Sequence, residues 1–98
     1  MSKFLFAYRT PHSSTAPSAD AIAAWGTWLE GMGPRLVDRG NPVSQRSALG
    51  NCEPTDTSLG GYSLVSAESL DAAVALAQGC PGLERGGGVE VAELQDMG

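Results

Sequence analysis

The chain has 98 residues, 42% of them hydrophobic and 17% charged, with a net charge of −5, which describes one globular domain and excludes a disordered chain. Five basic residues stand against three acidic ones in 1–49, and Arg85 alone stands against eight acids in 50–98. With no basic run to neutralise phosphates, nucleic-acid binding is excluded. A chain this short buries only about 60–65% of its unfolded surface, so a second copy would add useful burial.

Phe4–Tyr8 opens the chain as an apolar run. Phe4, Phe6 and Tyr8 point one way along a strand, Leu5 and Ala7 the other. Both faces being apolar predicts a central strand covered on both sides, by helices and by a second subunit. With one cation and so short an apolar run, this segment is neither a secretion signal nor a membrane span. The expectation is a soluble cytoplasmic protein. A polar loop bounded by Pro11 and Pro17 follows.

Ser18 is suited to cap a helix that begins near it, with Asp20 in the first turn where the helix dipole favours negative charge. Ile22, Trp25, Leu29 and Met32 fall at helical spacing and predict the buried stripe. Trp28 lies off that stripe and is expected at an interface edge. Gly33-Pro34 ends the helix.

Leu36–Asp38 reads as a short strand, with a turn at Arg39-Gly40-Asn41-Pro42, and Val43–Leu49 as a second short strand. Gly50–Leu59 reads as a polar loop containing Glu53, Pro54 and Asp56. Tyr62–Val65 is a strand. Ser69 caps the next helix, where Leu70, Ala73, Val74 and Ala77 predict the buried stripe, flanked by Leu76. Gly79 occupies the position of a left-handed cap, and Pro81 prevents continuation. After Gly86–Gly88 comes a last strand with Val89 and Val91 inward and Glu90 outward.

This β-α-β-β-α-β order is the ferredoxin-like, α+β arrangement, an antiparallel sheet with two helices on one face. Cys52 and Cys80 have no motif spacing and read as two free thiols, with a single bridge as the other option. With one histidine and two separated cysteines, neither a metal nor a cofactor site is expected.

His12 is the one side chain whose ordinary pKa suits proton transfer near neutrality. It would need a carboxylate to orient it, and Asp38, ending the second strand, is the candidate; the other reading of Asp38 is a turn-forming residue. Arg9, beside Tyr8 at the end of the first strand, could clamp a carboxylate with two N–H groups or pair with one of the chain's own acids. Tyr62 could offer its hydroxyl to a ligand or simply pack. Ser13-Ser14 next to His12 does not make a triad, and Gly86–Gly88 is not a phosphate loop, because it precedes a strand rather than a helix.

Several segments together resemble the YCII-related (DGPF-type) domain proteins over nearly the whole chain: Lys3–Arg9, Trp25 to Pro42 through Leu36-Val37-Asp38-Arg39-Gly40, Leu59–Val65, Ser69–Ala73, Gly79-Cys80-Pro81 and Gly88–Val91. The resemblance implies a homodimeric α/β barrel whose two sheets face one another around a cavity. It also implies action on, or binding of, small aromatic or lactone-like compounds, with a His–Asp pair as reactive centre in some members. This chain departs from the pattern in two places. Glu53–Ser58 replaces the DGPF signature, and the early helix carries no histidine. Two functions follow as expectations: a small-molecule binder or enzyme using Tyr8, Arg9 and Tyr62 with His12 and Asp38, or a non-catalytic dimeric interaction or regulatory module.

Overall fold

The computed structural model describes residues 1–12, 17–52 and 56–97. The elements run β1 (Ser2–Pro11), α1 (Ala19–Gly31), β2 (Leu36–Asp38), β3 (Thr57–Ala67), α2 (Leu70–Ala77) and β4 (Gly88–Glu93), with single turns of 3-10 helix at Gly33–Arg35 and Pro81–Arg85. The sheet order is β2-β3-β1-β4 with every neighbour antiparallel. That interleaving is the ferredoxin-like arrangement expected from the element order.

The register sorts the side chains onto two faces, because successive strand residues alternate. Phe4, Phe6 and Tyr8 of β1 lie beside Val65, Ser63 and Gly61 of β3, and Phe6 and Tyr8 beside Val91 and Val89 of β4. This is the face both helices cover. Phe4, Phe6 and Val65 are 0% exposed, each contributing about 1.5–3 kcal/mol of burial, and Leu29, Met32, Ala73 and Ala77 complete the core from the helices.

Both helices start as expected. The Ser18 and Ser69 side chains accept the N–H of Ala21 and Ala72, each at 3.1 Å, with Asp20 and Asp71 in the first turns. Their buried stripes are rotated from the expected ones. In α1 the inward residues are Ala21, Trp25, Trp28, Leu29 and Met32, while Ile22 is 61% exposed. In α2 the small Ala73 and Ala77 are buried, with Ala72 and Leu76 packed beside them, and Leu70 and Val74 face out. Alanines at the contact let the helix sit close to the aromatic-rich sheet, and the larger residues are turned away.

Three further expectations are corrected. Val43–Leu49 is not a strand: Pro42 makes an isolated bridge to Gly61 and Val43 N–H bonds the Gly60 carbonyl. The polar run that follows has no alternating apolar face to hold against the sheet. The long strand instead begins at Thr57, inside the segment read as loop. Gly79 is not left-handed; its backbone lies against the Trp28 indole, 3.0 Å from where a Cβ would stand. Gly40, in the turn after β2, is left-handed at φ +75, and a side chain there would run into the Tyr62 carbonyl.

Cys52 is exposed and Cys80 buried, and both are free. No helix among the described residues is long and apolar enough to cross a membrane. Ser13, Ser14, Glu53 and Pro54 lie outside the described residues.

Candidate functional site

The pairing of β1 with β4 runs unbroken through Tyr8 and Arg9, so the two point to opposite faces of the sheet, while β3 bulges by one residue, Gly60, at this step. Tyr8 belongs to the helix-covered side. Its ring meets Trp25 edge-on at 4.8 Å and Trp28 at 6.0 Å, and Trp28 in turn stacks on Phe6. The Tyr8 hydroxyl donates to Ser63 Oγ at 2.8 Å, and Ser63 Oγ donates to the Arg39 carbonyl at 2.7 Å. Burial pushes the Tyr8 hydroxyl up to about 12, against the opposing effect of the Ser63 bond and with a small addition from nearby Cys80. Burial likewise raises the Cys80 thiol, although the backbone N–H groups of Gly82 and Leu83 favour its charged form. This is an aromatic nest, and among the described residues no fully buried side-chain nitrogen or oxygen lacks a partner. Tyr8 therefore does not share a cavity with Arg9 and Tyr62.

Among the described residues, both helices pack on the Phe4–Phe6–Val65 side, and the other face carries no helix. Leu5 of β1 stands between Leu64 of β3 and Ala92 of β4, and the next row is Tyr62, Ala7 and Glu90. Beyond it Arg9 stands between Leu59 and Gly88. Leu59 is 42% exposed and Tyr62 36%. A solvated face of an antiparallel sheet normally alternates to polar residues; this one sets Leu5, Leu59, Leu64 and Tyr62 among the charged Lys3, Arg9 and Glu90.

Arg9 is half-buried, whereas Lys3, Arg35, Arg39, Arg46 and Arg85 are all exposed. Its guanidinium is held by uncharged groups: Nη2 donates to the Thr57 carbonyl at 2.8 Å and Nε to Thr57 Oγ1 at 3.3 Å. Two of the five guanidinium N–H groups are thus used. The ion pair expected between Arg9 and an acid, Asp38 among them, is not formed among the described residues. Asp38 Oδ1 accepts the Gly40 N–H at 2.8 Å, which is the turn-forming role.

His12 and Asp38 are not brought together. His12 is exposed at the far end of β1, its N–H on the Asp56 carbonyl, while Asp38 lies beside Leu64. From Asp56 to Leu64 the strand runs roughly 25 Å at the usual rise per residue. Arg9 and Tyr62 do share a face, as diagonal neighbours across β1 and β3. Alternation along β4 turns Glu90 outward, and the strand pairing puts it on the side of the sheet that Arg9 and Tyr62 occupy. Among the described residues, no three His, Cys, Asp or Glu side chains gather as metal ligands.

No family model and no curated protein matches the chain. A solved structure that shares its fold is 5-chloro-2-hydroxyhydroquinone dehydrochlorinase (TftG) from Burkholderia phenoliruptrix AC1100, in complex with 2,5-dihydroxybenzoquinone. The two superpose with a TM-score of 0.62 at 23% sequence identity, over 95% of this chain and 93% of that one.

Proposed function

We propose that this chain is a YCII-related protein that dimerises through its uncovered sheet face. The dimer binds a small organic compound, an aromatic or lactone-like ring, between the two sheets. Arg9 is the anion anchor and Tyr62 supplies a hydroxyl.

The observation that carries this reading is the half-buried Arg9 on a face that bears Leu5, Leu59, Leu64 and Tyr62, its guanidinium held by a carbonyl and a hydroxyl and bonded to no carboxylate among the described residues. Covering that face with a second copy buries the leucine rows and withdraws Arg9 further from water. A buried charge is costly without a partner of opposite sign, and an anionic ligand supplies one. The bound quinone of the structural neighbour agrees with a ring-shaped ligand. The reading is one of binding; with His12 and Asp38 at separate ends of the sheet, they supply no acid–base pair within one chain.

The test combines sedimentation equilibrium with calorimetric titration of 2,5-dihydroxybenzoquinone and 4-hydroxybenzoate. The expected result is a dimer that binds at least one ring compound, with binding lost in Arg9→Ala. A dimer that binds neither compound would leave the non-catalytic interaction module as the better reading.

A further inference from the structure

Glu90 lies straight across the sheet from Tyr62, with Ala7 between them, because Ala7 pairs with Tyr62 on one side and Glu90 on the other. At the usual strand spacing, the Tyr62 and Glu90 backbones stand about 10 Å apart. The methyl group of Ala7 is all that rises between them. Arg9 lies two residues further along β1, flanked by Gly88, which has no side chain. Glu90 and Arg9 are therefore diagonal neighbours, roughly 7–8 Å apart at the backbone. They do not pair: Glu90 makes no side-chain bond among the described residues, and Arg9 spends its bonds on Thr57.

Around a floor of Ala7 and Gly88, one face thus gathers a cation, a carboxylate and a phenol, bordered by the apolar row of Leu5, Leu64 and Ala92. We propose that Glu90 is a specificity-determining residue of this face. It accepts a hydrogen bond from a ring hydroxyl at the end of the ligand opposite the anionic group that Arg9 holds. The ligand class is then a single planar ring with an anionic substituent at one end and a hydroxyl at the other. This inference rests on the proposal that the uncovered face binds the ligand.

The test titrates the dimer with 4-hydroxybenzoate and benzoate, which differ by the one hydroxyl. Wild-type protein should bind 4-hydroxybenzoate about tenfold more tightly, the effect of one hydrogen bond to a carboxylate. In Glu90→Ala that ratio should fall to about one, whereas Arg9→Ala should weaken both ligands together. Glu90 is exposed, so its removal leaves the fold intact, and an unchanged dimer mass checks this. If wild type binds both ligands equally and Glu90→Ala changes nothing, the role of Glu90 is overturned while the binding face stands. If wild type binds neither, both fall.

Discussion

Trp28 donates its indole N–H to the carbonyl of Leu76 at 3.1 Å, joining the two helices by a side chain over the aromatic nest. The acceptor lies in the last turn of α2 and also accepts the backbone N–H of Gly79 at 3.3 Å. The same indole lies against Gly79, so one ring closes α2, seats the following turn and stacks on Phe6.

Gly79→Ala is expected to destabilise the protein by about 1–3 kcal/mol, since its Cβ would press on the indole of a packed tryptophan. In a Trp28→Phe background the same change should cost much less, because the smaller ring withdraws from that contact. Urea unfolding of the two single variants and the double variant gives the coupling directly. Equal costs in both backgrounds would show that Gly79 answers to something other than Trp28.

Tyr8 makes alkaline stability a readout of the nest. Its folded pKa, about 12, lies above the unfolded value of 10.0, so the fold favours the protonated form. The stability this contributes is fully present below pH 10 and is lost as pH rises through 12. Tyr8→Phe should lower stability at pH 7 by about 1–2 kcal/mol through the lost bond to Ser63. It should also flatten the fall in stability between about pH 10 and 12, which thermal melts across that range would record.

The rotated stripe of α2 predicts opposite outcomes for two adjacent residues. Val74→Ser, on the outward side, should change stability by no more than about 0.5 kcal/mol. Ala73→Leu, at a position 0% exposed, should cost about 1–3 kcal/mol by overpacking against the sheet. Denaturant midpoints decide it, and a Val74→Ser cost as large as that of Ala73→Leu would put Val74 back in the buried stripe that spacing predicts.

The uncovered face gives a prediction about assembly. Leu64→Lys puts a charge in the middle of the proposed dimer contact without touching this chain's own helix-covered core. The variant should sediment as a folded monomer at concentrations where wild type is a dimer. A variant that stays dimeric would place the contact elsewhere.

Much of the fold was legible in the residues themselves. Ser18 and Ser69 announce helix starts because a hydroxyl before a helix satisfies an N–H that the helix cannot. Gly33-Pro34 announces a stop, and alternation marks β1 and β4. Side-chain volume misled in the helices. Spacing alone placed Ile22 and Val74 inward, but the sheet beneath is already filled by Phe4, Phe6 and Tyr8 and accepts alanines and the flat indoles instead. The Val43–Leu49 strand failed for a related reason, since a strand is made by its partner and that polar stretch offers β3 no apolar face.

For the site, the chain itself fixed the ingredients: one histidine, an arginine following a strand tyrosine, and a Gly-Gly-Tyr strand. Local chemistry also determined that Tyr8 and Arg9 must diverge, because consecutive strand residues do. Which residues meet Arg9 was a matter of register, set by hydrogen bonds between segments dozens of residues apart. Only that pairing put Tyr62 and Glu90 on either side of Ala7 and left His12 and Asp38 at separate ends. Local sequence sets the side of the strand to which a residue points; the tertiary fold alone decides what stands beside it there.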